Sequence, residues 1–262
     1  MLTLVKDIYN RRELLSILVA RNLKIRYKNS FLGFFWSLLI PVFMIVIYAV
    51  FARLLRFSGD NPHYLQFLIV GIVCWHFLTM CLNDSLGAVM GNANLVKKTA
   101  FPRFILPLAM VSANLVNFLL TSLVLAAYLL VAHMSFSHLL FLPLVILSHA
   151  ALCLGIALLL CTANVFYRDT EHMLQILTLG WFFLTPIFYP VQFQMNHLPA
   201  GIHWLLFLNP MTGIVCSYRA VWMASDLPPL GMIAVSYAVS WCVLLLGIAV
   251  FQKLQIRFAD EL

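Results

Sequence analysis

Charge is the scarcest ingredient of this sequence. Only 10% of its 262 residues are Asp, Glu, Lys or Arg, while 63% are hydrophobic. A water-soluble domain carries roughly 25% charged residues, so this chain cannot wet its own surface and needs lipid as solvent. Acids are scarcer than bases, nine against sixteen. With few clustered acids or histidines, a membrane-embedded enzyme acting on lipid or prenyl substrates is short of catalytic groups. Cysteine is sparse and scattered. Cys74, Cys81, Cys153, Cys161 and Cys242 sit in apolar stretches and Cys216 stands apart, with no CxxC pair. They read as small apolar filler, and no metal site is expected. The G-x-x-x-x-G-K-[ST] loop that cradles nucleotide phosphates is missing. A cleavable signal is not expected either, because the first apolar run begins only near Phe31, behind a basic stretch.

What the sequence has in abundance is long apolar runs. A helix needs roughly 20 apolar residues to cross the hydrocarbon core. Stretches with little or no charge predict six spans, at 31–52, 64–90 (with Asp84 its one charge), 104–132, 139–164, 172–190 and 229–252. The run from Phe104 to Tyr167 has no charge and is long enough for two crossings, with His133, Ser135, Ser137 and His138 as the turn. The stretch 191–228 contains Pro199, Gly201, Pro210, Gly213, Pro228 and Pro229 between short apolar patches. It predicts two short helices dipping into the outer leaflet, since broken backbone at that depth must lie against protein or water. With the N-terminus inside, the cytoplasmic segments hold thirteen of the sixteen Lys and Arg, leaving Arg53, Arg56 and Arg219 outside. Cytoplasmic loops are the basic ones, so both ends are expected in the cytoplasm. The fold class is therefore an all-α integral membrane protein in one domain.

Several segments outside the spans carry further signals. Residues 8–28 read as an amphipathic helix along the membrane surface, with Leu14, Leu15, Leu18, Val19 and Leu23 on one side and Arg21, Lys24 and Lys28 on another. Such a helix is drawn to anionic headgroups. It is open whether it is an anchor alone or also contacts a headgroup or pyrophosphate at a substrate entrance. Residues 92–103 form a short basic segment whose Leu95, Val96 and Phe101 suit a knob that docks into a cytosolic partner. Gly87 and Gly91 before it form a GxxxG, a close-approach pattern for helices. Asp84 reads as a polar structural contact. Arg168 and Asp169 read as a topology signal and a helix N-cap, and Asp169 with Glu171 lacks any nucleophile or metal ligand for catalysis. Aromatics cluster at Phe31, Phe34, Phe35 and Trp36, with Tyr48 and Phe51 beyond, and again at Trp181, Phe182, Phe183, Phe188 and Tyr189. Interfacial belts and sugar-stacking faces both remain open for them.

Five stretches, in order along the chain, resemble a known family. They are Arg26-Tyr27-Lys28-Asn29-Ser30-Phe31-Leu32-Gly33 leading to Trp36 and Pro41, Leu95 to Arg103, Asn164 to Asp169, Thr185 to Tyr189, and Asn209-Pro210-Met211. Together they resemble the permease subunit of ABC-type polysaccharide exporters, which moves lipid-linked O-antigen, teichoic acid or capsule. The resemblance implies a homodimer in the bacterial cytoplasmic membrane, bound to two ATP-binding-cassette subunits that hold ATP and Mg; no cofactor and no nucleic acid belong to this chain. It assigns Leu95, Val96, Lys97, Lys98, Phe101 and Arg103 to coupling with the ATPase, and Arg21, Lys24, Arg26, Lys28 and Arg168 to the headgroup entrance. It assigns Phe35, Trp36, Tyr48, Trp181, Phe182 and Tyr189 to a glycan path, and Asn209 and Pro210 to an outer gate. The implied cargo is a polysaccharide on an undecaprenyl pyrophosphate carrier, O-antigen preferred, with capsule, teichoic acid or a small lipophilic compound as alternatives.

Overall fold

A computed structural model describes residues 6, 9–27, 35–36, 39, 42–43, 46–47, 50, 63–98, 101–134, 136, 138–167, 169–197, 199, 201, 203–223 and 228–261. These residues form helices and turns, with no strand among them. The helices are α1 (Arg12–Tyr27), α2 (Tyr64–Leu86), α3 (Ala93–Lys98), α4 (Ile105–Val131), α5 (Leu142–Phe166), α6 (Thr170–Leu184), α7 (Val191–His197), α8 (His203–Leu208), α9 (Pro210–Met223), α10 (Leu230–Leu254) and α11 (Phe258–Glu261).

Four helical stretches are long and apolar enough to cross a membrane: α2, α4, α5 with its leading turn, and α10 with its trailing turn, at 23, 27, 28 and 28 residues. At about 1.5 Å per residue each exceeds the roughly 30 Å hydrocarbon core. The expected span at 31–52 lies mostly outside the described residues, Tyr48 included, although its described positions from Phe35 to Val50 are helical. The span expected at 172–190 is the shorter α6, whose 15 residues end at Leu184. The stop is local: Thr185 precedes Pro186 and takes an extended backbone, φ −92° and ψ 136°, because a proline ring disfavours helical geometry in the residue before it. Where two short helices were expected in 191–228, the described residues hold three, α7 to α9, separated at Pro199–Gly201 and at Asn209–Pro210. Pro210 opens α9, where its fixed φ suits the first turn and its missing N–H removes no bond.

α2 is the most enclosed of the long helices and packs against α4, α5, α6 and α9. α5 and α10 cross in close contact at two glycines. A Cβ on Gly155 would stand 2.6 Å from the Leu244 nitrogen, and one on Gly247 would stand 2.4 Å from the Gly155 oxygen. Backbone meets backbone there, the use of small residues that lets membrane helices approach closely. Between α4 and α5 the chain turns through His133 and His138, both left-handed at φ 55° and 56°. Histidine is among the residues enriched in that conformation.

Two apolar clusters fill the bundle. One lies around α2, α5, α6 and α9, and the other gathers α1, α3, the start of α4, the end of α5 and α11. The second cluster marks the basic end of the molecule, which carries α1 and α3. The opposite, proline-rich end carries α7 to α9.

Candidate functional site

At the basic end α1 lies against α4 and buries Leu18 in the second cluster. Two of its cations turn inward. Arg21 Nη2 donates to Asn92 Oδ1 at 2.8 Å, while Asn92 Nδ2 donates to the Ala88 carbonyl at 2.8 Å. Arg26 forms an ion pair with Asp84, whose Oδ2 also accepts from Asn114 Nδ2 at 2.7 Å. Asp84 is therefore the polar structural contact expected of it. Lys24 is exposed on the outer side of α1, and Lys28 and Arg168 lie outside the described residues. Between α1 and the start of α4 is a cleft of about 450 Å³, lined by Arg21, Arg26, Asp84 and Asn92, with Gly87 and Gly91 in its wall. Nothing stands within 4 Å of where a Cβ on either glycine would be. Instead of admitting a helix, this GxxxG borders open space. The Arg21 Nε is buried without a hydrogen-bond partner. Arg21 has a neutral partner in Asn92, so its charge is not matched there, and the cleft suits an anion.

The 92–103 segment folds back on the chain. Val96 is buried and Phe101 half-buried in the second cluster, together with Phe104, Phe251 and Phe258. Phe251 and Phe258 meet edge to face at 5.4 Å, and α11 packs on α3. Arg103 donates to the Gln255 carbonyl, closing the segment against the C-terminal turn. Leu95 is partly covered, whereas Asn94, Lys97 and Lys98 are exposed. The apolar residues thus fix the shape of the segment, and the surface it presents is polar and cationic.

The proline-rich end is held by a different set of contacts. Trp181 Nε1 donates to Asn209 Oδ1 at 2.8 Å, and Asn209 Nδ2 donates to Thr185 Oγ1 at 3.2 Å. The same Asn209 Oδ1 accepts from the Met211 N–H at 3.1 Å, which caps α9. The turn 185–189 is therefore tied to the start of α9. Arg219 of α9, 4% exposed, ties it again. Its Nη1 donates to the Pro186 carbonyl at 2.6 Å, its Nη2 to the Ile187 carbonyl at 2.7 Å and its Nε to the Phe67 carbonyl at 3.2 Å. Its Cζ stands 3.3 Å above the Phe67 ring centroid, a cation–π contact. Gly71 leaves room for it, since a Cβ there would lie 2.8 Å from Nη2. Counting Arg219 as an outer-side charge gave no hint of this role. A cation inside an interrupted apolar patch was the available signal, because a buried charge demands partners. Gly155 and Gly247 were missed too, and lone glycines in apolar helices were their only mark.

The aromatics divide by environment. Phe182 is buried and packs at 5.4 Å on Trp75, which also meets Trp181 edge-on at 5.8 Å. Tyr189 is half-buried; its hydroxyl donates to the Phe183 carbonyl and accepts from Gln194 Nε2 at 2.8 Å. Phe35 and Trp36 are exposed, at 64% and 46%. Beside the Trp75–Phe182 pair a groove of about 330 Å³ runs between α2 and α6, lined by Thr79, Asn83, Gln175 and Thr178 as well as the rings.

A helical bundle with four stretches able to cross a bilayer defines a multi-pass membrane protein. Residues 13–223 match the family described as ABC-2 type transporter, and the chain belongs to that family. It is similar to the O-antigen export system permease protein RfbA of Myxococcus xanthus, 32% identical over 264 residues and covering 100% of both chains. It is also similar to a protein of that name from Klebsiella pneumoniae, 32% identical over 253 residues and covering 95% of each chain. The chain is thus a transport component of a bacterial membrane and not an enzyme. Its family implies an ATP-binding-cassette partner.

Proposed function

We propose that the chain is the permease subunit of an ATP-driven exporter that carries undecaprenyl-pyrophosphate-linked O-antigen across the cytoplasmic membrane. The observation that carries this reading is similarity over the whole length to permeases named for O-antigen export. Two copies pair and bind two ATP-binding-cassette subunits, which hold ATP and Mg. Each copy crosses six times with both ends in the cytoplasm, putting the basic end inside and the proline-rich end outside. Exposed Lys97 and Lys98 then face the ATPase, and Leu95, Val96, Phe101 and Arg103 hold the segment that presents them. The cleft at Arg21 and Arg26 receives the pyrophosphate headgroup, with Lys24, Lys28 and Arg168 as the surrounding positive field. Asn209 and Pro210 set the outer gate, and Phe35, Trp36, Tyr48, Trp181, Phe182 and Tyr189 supply ring surface along the glycan path.

Removing this chain from its host should leave lipid-linked glycan trapped on the inner side of the cytoplasmic membrane. That is measured by fractionating labelled glycan between membrane and cell surface. Surface glycan at the normal level in such a strain would overturn the proposal.

A further inference from the structure

We propose that residues 255–261 are a strap that fastens the 92–103 segment to the inner ends of α5 and α10, with Phe258 as its positioning residue. A push from the ATPase then enters the bundle through those two helices. This rests on the reading of 92–103 as the ATPase-facing segment and adds where its displacement is delivered.

Chain order alone would hand that displacement to α2 and α4, the helices that the segment joins. The contacts differ. On the α2 side the link passes Gly87 and Gly91, which wall the cleft and have nothing within 4 Å of where a Cβ would be. α3 itself has six residues, and a helix shorter than about 12 residues is marginal alone in water. It needs a seat, and α11 is that seat: no other described α-helix packs on α3 to the same extent. Val96 of α3 and Phe258 of α11 are buried in one apolar cluster.

The strap is anchored in turn on α5 and α10. The Phe258 ring, fully buried, meets Phe251 of α10 edge to face at 5.4 Å and Phe166, the last residue of α5, at 6.1 Å. Phe251 meets Phe104, at the entry to α4, at 6.2 Å. The Gln255 carbonyl accepts from the Phe258 N–H and from the Arg103 guanidinium. One carbonyl thus ties the strap and the end of the 92–103 segment to the end of α10, the second by a charge-assisted bond. Rings packed in this way pass a displacement on, because a close-packed interior is not continuously deformable. α5 and α10 meet backbone to backbone at Gly155 and Gly247, so a load on their inner ends is carried by both together. The 92–103 segment, α11, α5 and α10 form one body, and Gly87–Gly91 is its hinge to α2.

The test uses the complete permease–ATPase complex. Site-specific labels on exposed Asn94 and Gln252 span the strap, and labels on Asn94 and exposed Asn83 span the link to α2. Between the nucleotide-free and ATP-bound complex the first distance should stay constant while the second changes. A change in the first distance, or constancy of both, would overturn the strap. Phe258→Ala should slow export of pulse-labelled glycan in the host at least about fivefold, while the complex still co-purifies and hydrolyses ATP. Phe258→Leu, which keeps an apolar side chain in the seat, should recover most of the rate. Wild-type export by the alanine variant would also overturn the strap. The label distances need no change at Phe258, so they decide even where the alanine variant fails to accumulate. Full ATPase co-purification by Lys97→Glu/Lys98→Glu would instead remove the reading of 92–103 as the docking segment.

Discussion

At the basic end Arg21 and Arg26 are held by side chains, whereas at the proline-rich end Arg219 is held by three main-chain carbonyls. The first arrangement can be exchanged. The Arg26–Asp84 pair is partly exposed, the partners are side chains, and an incoming anion can compete for the guanidinium groups. The second is fixed by the backbone, since among the described residues Arg219 alone donates to the Pro186 and Ile187 carbonyls. The same residue type therefore makes a ligand-ready surface at one end and a fixed clasp at the other. Burial and the identity of the partner decide which.

Substitutions at the clasp should have the largest effect on stability. Arg219→Ala leaves buried carbonyls without donors and should cost about 3–5 kcal/mol, read from denaturant unfolding of the detergent-purified protein. Arg219→Lys should recover only part of it, because an ammonium cannot reproduce the planar fork. A loss under about 1 kcal/mol for the alanine variant would mean that the clasp does not hold this end together. The Trp181–Asn209 bond comes next. Trp181→Phe keeps a ring against Trp75 and removes the indole N–H, so about 1 kcal/mol should be lost. An equal loss in a protein already carrying Asn209→Ala would show that the bond itself contributes nothing.

At the basic end, Asp84→Asn should change stability by about 1 kcal/mol or less, because the pair is partly solvated. Its effect should shrink as salt rises. A larger loss that is insensitive to salt would make the pair a second clasp and erase the contrast. The smallest effect on folding is expected from Lys97→Glu/Lys98→Glu, within about 0.5 kcal/mol. That variant should nonetheless weaken co-purification with the ATPase subunit. Retained co-purification and coupled ATPase activity would take the two lysines out of the docking surface.

Much of the architecture was readable from the chain because bilayer thickness imposes it. Apolar runs with at most one charge predicted α2, α4, α5 and α10 to within a few residues, whereas the span expected at 172–190 stops early, at Leu184 before Pro186. The expected run 64–90 overshoots because apolarity continues past Leu86, while the helix ends there at Gly87. What was not legible depends on partners distant in sequence. Arg219 and Pro186 are 33 residues apart, and Arg21 and Asn92 are 71. The apolar residues of a six-residue helix such as α3 can face either way, and only packing against Phe258 and its neighbours turns Val96 inward. Glycine pairing was ambiguous for a related reason. Gly87 and Gly91 have the motif spacing but border a cleft, whereas Gly155 and Gly247, on separate helices, make the contact.

That contact leaves α5 and α10 with no side-chain layer at their crossing, and so with nothing there that can slide or repack by a rotamer change. Such a pair should act as a fixed frame. Spectroscopic labels on these two helices should keep a constant separation through a transport cycle. Distances taken from either one to α6 or α9 then report displacement of the path itself, free of any drift in the reference.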